Sequence, residues 1–459
     1  MSTPASSSSS MKASTIRPFV TARDTADRLS EKPSFSPGNK RDAGSVSIFI
    51  DPAKKFQTIE GFGAAFTEAA AVTLRKMSPQ NQQVILKAFF APEGGLGYSL
   101  CRTHINSCDF STGNYSYDEV AGDTELKHFS LERDHQALIP MIKAAQALGK
   151  KPFKIFASPW SPPAWMKTNG EMNHGGQLKA GYRDTWARYF ARYIEEYHKL
   201  GIEIWGVTVQ NEPAATQRWD SCVYSAQEES DFVRDHLGPT LAKTGHGDVK
   251  IIIWDHNRNL LVERAAVAYS DPEASKYIWG TGFHWYEDDK FDNLSLHHDA
   301  WPDKKLLFTE GCQEGGPHTG EWILGERYGR SMIQDFNRWA VGWVDWNILL
   351  DETGGPNHVG NLCSAPILAD TKNDKVLFQN SYYYIGHFSQ FVQPEARRIL
   401  CATTRDNLEA TAFVNPDGTT IVVAMNRTEQ PITFSLDTPD STSVTTLPPR
   451  AIATYVISQ

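Results

Sequence analysis

Two carboxylates each close an apolar run. Glu212 lies in Asn211-Glu212-Pro213, just after the β-branched and aromatic run 204–209, and Glu310 ends Leu306-Leu307-Phe308-Thr309-Glu310. Pro213 has no N–H and cannot continue a ladder, so the first run must stop there. A pair of carboxyl groups facing each other across a cleft can break a glycosidic bond. One protonates the leaving oxygen, and the other attacks the anomeric carbon or activates a water, depending on their separation. The remaining polar residues after apolar runs follow the same pattern: Arg102 and His104, Asp109, Ser158-Pro159-Trp160, Asp255-His256-Asn257, His284-Trp285-Tyr286 and Asp345-Trp346-Asn347. Polar and aromatic groups confined to one end of successive strands mark a single shared site.

The elements that must carry these residues read as alternating strands and helices. Eight candidate strands fall at 58–66, 98–105, 153–157, 203–210, 250–254, 280–285, 305–309 and 341–347, most followed by helical periodicity. Before the fourth, Trp186, Tyr189, Phe190, Tyr193, Ile194 and Tyr197 form one face of a helix, and Gly201 suits the left-handed position beyond its end. Ser225 and Glu228 have capping-box spacing, and Ser130 can cap a helix beginning with Glu132 and Asp134. Eight such units predict an α/β chain folded as a (β/α)8 TIM barrel, with its chemistry on the carboxyl rim of the strands. A doubly wound sheet is the alternative. However, Gly61-Phe62-Gly63 lacks the third glycine of a dinucleotide loop and reads better as a tight strand passage.

Beyond the barrel, the chain reads as β structure. Segment 16–56 is polar and proline-punctuated, with one clear strand at 46–50. After about residue 385, strands are expected at 409–414, 420–425, 432–436, 444–447 and 451–457, the first two joined by the turn Asn415-Pro416-Asp417-Gly418. The expected organisation is a disordered tail at 1–13, the N-terminal part of a β-sandwich at 14–56, the catalytic barrel at 57–385 and the rest of the sandwich at 386–459.

Composition narrows the function. The 459 residues carry a net charge of -9 without a run of Lys or Arg, which argues against nucleic-acid binding. The 13 Trp, 16 Tyr and 23 Phe, several beside polar residues at strand ends, suit sugar rings. Six Cys lack metal-like or paired spacing, so free thiols in a reducing compartment are expected. No apolar leader and no stretch long enough to span a bilayer stands out, so the expected location is cytoplasmic, without stable membrane insertion. No HisGluXXHis or comparable cluster exists, and His297-His298 reads as a polar loop. No metal and no cofactor is therefore expected.

Specific stretches carry a resemblance. They are 57–71 and 157–170, Phe283-His284-Trp285-Tyr286, Phe308-Thr309-Glu310-Gly311-Cys312, 342–347 and Gly354-Gly355-Pro356-Asn357. Together they resemble glycoside hydrolase family 30 and its glucosylceramidase branch, within the retaining barrel glycosidases, over nearly everything from Val46 onward. The resemblance implies a retaining β-glucosidase with Glu212 as acid/base and Glu310 as nucleophile. Asn211 would bond the sugar 2-hydroxyl, and Asp109, Trp160 and Trp346 would line the glucose subsite with Asn361 nearby. Arg102, His284 and Tyr286 would orient the carboxylates. On this reading Arg102 and Tyr286 keep Glu310 ionised, while apolar surroundings raise Glu212. Cys312, two residues past Glu310, reads as a packed thiol rather than a second nucleophile. The partner would be a small-molecule or oligosaccharide β-glucoside, with a glycolipid among the candidates. The loop 214–224 is shorter than in the lysosomal-type enzymes and brings Trp219 to the leaving-group side, which weakens ceramide as the aglycone. The nearest rival is a β-1,6-glucanase of the same family, and a more distant one is a non-catalytic carbohydrate-binding relative.

Overall fold

The computed structural model describes residues 15–38, 46–149 and 152–458; the tail expected at 1–13 lies outside them. Eight parallel strands close into a barrel: β1 (Gly61–Phe66), β2 (Leu100–Ile105), β3 (Lys154–Pro159), β4 (Ile204–Thr208), β5 (Lys250–Asn257), β6 (Ile278–His284), β7 (Lys305–Glu310) and β8 (Ala340–Asn347). The β8–β1 pairing closes the ring, which rules out the doubly wound alternative. Helices cover the outside and side chains fill the inside, so β1, β2 and β8 are buried at every position. This double burial explains why they read as continuous apolar runs rather than as alternation.

Local signals account for much of the packing. The aromatic stripe forms the helix Arg183–Lys199, with all six predicted residues buried, and Gly201 follows at φ 72°. Ser225 and Glu228 complete a reciprocal capping box on Ala226–Phe232. Ser130 Oγ accepts from the Glu132 amide at 3.2 Å, but the short helix Glu132–Gln136 starts from Leu131, which makes no side-chain cap bond. At Gly63 a Cβ would lie 1.8 Å from the Leu100 carbonyl oxygen, so β1 can approach β2 only without a side chain there. His297, read as part of a loop, is instead buried in the helix Asp292–Ala300, where it bonds Thr281 Oγ1 at 2.9 Å.

The chain forms two compact units: the segment up to Phe56 together with Phe391–Gln459, and Gln57–Gln390. The second contains the barrel, a small sheet (Leu349–Asp351, Ile367–Asp370, Lys375–Phe378) and the helix Asn380–Ser389. The first is a β-sandwich domain, and among the described residues its sheet has nine strands drawn from both chain ends. Thr15–Ala22 pairs antiparallel with Ala451–Ser458, and Ser47–Thr58 pairs parallel with Ile432–Asp437. Ile16, Ile48, Ile50, Phe434 and Tyr455 share its apolar core. The hairpin joining Leu408–Val414 to Thr420–Asn426 turns on Asn415–Gly418, with Gly418 at φ 87°. Among the described residues, no helix is long and apolar enough to cross a membrane.

Candidate active site

The strap after β4 is fixed by backbone bonds to both neighbouring strands. The Asn211 amide donates to the Pro159 carbonyl at 2.8 Å, and the Glu212 amide donates to the Asp255 carbonyl at 3.0 Å. These bonds hold Glu212 at φ 49°, a left-handed conformation that costs a residue with a side chain roughly 1–3 kcal/mol. Opposite, Glu310 ends β7. Arg102 donates to its Oε2, and the Tyr286 hydroxyl donates to Oε1 at 2.9 Å. Gly311 follows because a Cβ there would fall 2.6 Å from the Phe308 ring and 2.7 Å from Trp285.

A buried chain of charges links the two carboxylates. Arg102 donates to Glu310, and through Nη2 to Asp255 at 2.8 Å and Asn211 at 2.9 Å. His284 reaches Asp255 Oδ1 through Nε2 at 2.9 Å and Glu212 Oε1 through Nδ1 at 3.2 Å. Both partners are carboxylates, so a ring that satisfies both is an imidazolium. Burial alone would lower its pKa, but Glu310, Asp255 and Glu212 outweigh that and push it up to about 9. Burial acts in the opposite sense on Asp255, upward, but Arg102 and His284 hold its carboxyl well below the usual carboxylate range.

The glutamates differ from the sequence expectation. Burial pushes Glu310 up despite His284 and Arg102, and the charge on Glu212 adds to the rise. Burial also acts upward on Glu212, but His256 and His284 together hold it below the ordinary range. The sequence could not show this, because His256 and His284 reach Glu212 from β5 and β6.

A cavity of about 400 Å³ opens over this chain, and Asp109, Trp160, Asn211, Tyr286, Trp346 and Asn361 line it with the two glutamates. Trp160 and Trp346 stack on each other, centroids 5.0 Å apart at 19°, and form one continuous wall rather than two jaws. The Arg102 guanidinium sits 4.7 Å from the Trp160 centroid. Asp109 Oδ2 accepts from Asn357 at 3.1 Å and Asn361 at 3.2 Å, which ties the loop after β2 to the loop after β8. Burial pushes the Asp109 carboxyl up to about 8. Arg102 and His284 are fully buried behind the lining rather than part of it.

Other strand-end residues serve elsewhere. His104 accepts from the Glu68 amide at 3.0 Å, and Asp345 accepts from the Tyr328 hydroxyl at 2.8 Å. Cys312 lines the cavity, but burial pushes its thiol far above its ordinary range, so it stays a neutral thiol. Sequence reasoning did not assign Asp255, His256, Asn257 or Asn357 to the site, although all four belong to stretches it singled out. Glu212, His256 and His284 bring possible ligand atoms within 4.8 Å of one another. The Nδ1 lone pair of His256 accepts the Asn257 amide at 2.8 Å, and both His284 nitrogens are bonded to carboxylates. All six cysteines are free.

Comparison with known proteins agrees with this architecture. Residues 59–392 match the glycosyl hydrolase family 30 TIM-barrel domain, and residues 395–455 match the family 30 beta sandwich domain. The chain is 36% identical to mouse lysosomal acid glucosylceramidase, over 91% of this chain and 84% of that protein. It is 29% identical to the Aspergillus fumigatus endo-1,6-beta-D-glucanase neg1, over 81% of this chain and 78% of that one. Among solved structures, SrfJ from Salmonella typhimurium superposes with a TM-score of 0.93 at 39% identity, covering 97% of this chain and all 100% of that one. An endo-beta1,6-glucanase superposes at 0.86 with 29% identity, covering 96% and 98%. With its barrel and sandwich both matched, the chain belongs to glycosyl hydrolase family 30, a family of enzymes that hydrolyse glycosidic bonds.

Proposed function

We propose that this enzyme cleaves terminal β-glucosidic bonds with retention, Glu310 acting as nucleophile and Glu212 as acid/base. The observation that carries the reading is the unequal hold on the two carboxylates. Both Glu310 oxygens are bonded, by Arg102 and Tyr286, so the group is aimed and its charge supported. Among the described residues Glu212 is bonded through Oε1 alone, which leaves Oε2 to serve a leaving oxygen.

Substrate would complete the assignment. Glu212 has the more exposed side chain, 12% against 7% for Glu310. A sugar filling the cavity strips water from Glu212, raising its pKa, while Glu310 keeps both donors. The proton of the pair then sits on Glu212, ready for the leaving oxygen. Glu310 attacks to form a glycosyl-enzyme, and Glu212 takes a proton from the incoming water. In this reading Asn211 bonds the 2-hydroxyl, Asp109 with Asn361 takes hydroxyls at the far end of the sugar, and the Trp160–Trp346 wall packs against its apolar face.

The relatives' names leave two aglycones, a ceramide as in the glucosylceramidases and a glucan as in the endo-1,6-glucanases. The exposed large apolar side chains, such as Leu260, Leu296 and Ile323, are absent from the cavity lining, which favours a polar aglycone. Hydrolysis of glucosylceramide, β-1,6-glucan and phenyl β-glucoside side by side tests the substrate. Proton NMR of the first product tests the stereochemistry: the β-anomer should appear first, and initial α-glucose would overturn retention.

A further inference from the structure

His256 has a place in the cavity that the paired glutamates do not explain. It lies where β5 loses register with β6, the shift falling between Trp254 and His256, and Trp254 and Asp255 both have left-handed backbone (φ 70° and 48°). A bulge of this kind re-aims the residues after it. Asp255 accepts bonds from Arg102 and His284 behind the lining, while His256 lines the cavity beside Glu212 and in company with Gln217 and Trp219.

The ring is held and its tautomer is set. It stacks on Trp254 with centroids 4.9 Å apart at 25°, and Trp254 is anchored by its indole N–H donating to the Asn257 carbonyl at 2.9 Å. Nδ1 accepts the Asn257 amide at 2.8 Å, so in the neutral ring the proton is on Nε2. Burial lowers the pKa of the ring, against the pull of Glu212. Nδ1 lies 3.8 Å from Glu212 Oε1, which places the ring beside the oxygen pair that handles the leaving group. Among the described residues, Nε2 has no protein hydrogen-bond acceptor. The cavity therefore contains a rigid N–H donor, without a partner among the described residues, on the acid/base side.

We propose that His256 is a specificity-determining residue that donates from Nε2 to an oxygen of the aglycone and so selects a second sugar over an alkyl or aryl group. The inference rests on the assignment of Glu212 as acid/base, because that assignment defines the leaving-group side. A sugar aglycone offers hydroxyl acceptors within a few bonds of the scissile oxygen, with Gln217 as a further polar contact and the partly buried face of Trp219 as a platform.

The test compares kcat/KM for a β-1,6-linked glucose disaccharide with kcat/KM for phenyl β-glucoside in the wild type, His256→Leu and His256→Gln. A single hydrogen bond is worth roughly 3- to 10-fold. His256→Leu should lower the disaccharide-to-phenyl ratio by about that factor, and His256→Gln, which keeps an N–H donor of similar reach, should recover most of it. If the ratio is unchanged while both substrates fall together, His256 acts through Glu212 and the proposal is overturned. A wild type inert on both substrates overturns the glucosidase reading, and the inference with it.

Discussion

The two ends of the same eight strands are built on opposite principles. Low in the barrel, Leu100, Phe156, Ile252, Leu307 and Val344 form a wholly buried apolar plug, with Trp205 and Trp279 packed against it. At the carboxyl rim, Arg102, Asp255, His284 and Glu310 are just as buried but charged, and each depends on the next for its balance. Burying an apolar side chain contributes about 1.5–3 kcal/mol. Burying a charge costs several kcal/mol unless a partner restores what water supplied. The left-handed backbone at Glu212, Trp254 and Asp255 adds cost at the same rim. The lower end thus holds the barrel closed, and the upper end can keep its strained, charge-dense geometry only because of that.

This division predicts different consequences for substitutions only a few residues apart. The largest effect falls on the nucleophile: Glu310→Gln should lose turnover on every substrate, however good the leaving group, while its melting temperature stays at or above that of the wild type because a buried charge has been removed. Azide should release an α-glycosyl azide from this variant. A β-azide would reverse the two roles.

Glu212→Gln should lose about 10²–10⁴-fold on substrates with poor leaving groups, the scale of general acid catalysis. With an activated aryl glucoside it should still form the glycosyl-enzyme and then stall, and azide should release the β-glycosyl azide. Equal losses across all leaving groups would argue against its acid/base role.

Leu307→Ala, three residues before Glu310 on the same strand and in the apolar plug, should show the converse pattern. Urea unfolding should record a loss of about 2–5 kcal/mol, while kcat/KM measured well below the melting temperature is retained. If activity collapsed with little change in stability, the two ends would not be separable as described.

The smallest effect concerns Asp109. Burial pushes its carboxyl up to about 8, which favours the protonated form at neutral pH. A sugar hydroxyl donating to it favours the carboxylate and lowers that pKa. Binding of a neutral glucose-configured inhibitor should therefore release protons, and affinity should rise as pH climbs toward 8. Calorimetry in buffers of different ionisation enthalpy measures the release, and Asp109→Asn should remove that part of it. Unchanged release in the variant would assign the proton to the glutamate pair.

Much of this was readable along the chain. The strand–helix alternation, the stripe on Arg183–Lys199, the Ser225 capping box and the hairpin at Asn415–Gly418 depend on residues close in sequence, where period and turn chemistry suffice. Glu212 and Glu310 stood out as a pair, each ending an apolar run beside groups that suit a sugar, and both line the cavity. Thr15–Ala22 was not recognised as a strand. Arg17 and Pro18 blur its alternation, and its partner, Ala451–Ser458, lies at the other end of the chain.

The tertiary structure alone decided how the strand ends divide their labour. Register shifts between Trp254 and His256, Phe308 and Glu310, and Asp345 and Asn347 come at the ends of β5, β7 and β8. Each breaks the simple in–out alternation of a strand at the site itself. Strand periodicity cannot tell that His284 lies behind the lining, that His256 faces the cavity, or that Asn357 reaches across to Asp109. The sequence by itself determined which residue types reach the rim. Their roles depend on bulges and cross-strand partners, and these exist only once strands distant in the chain have met.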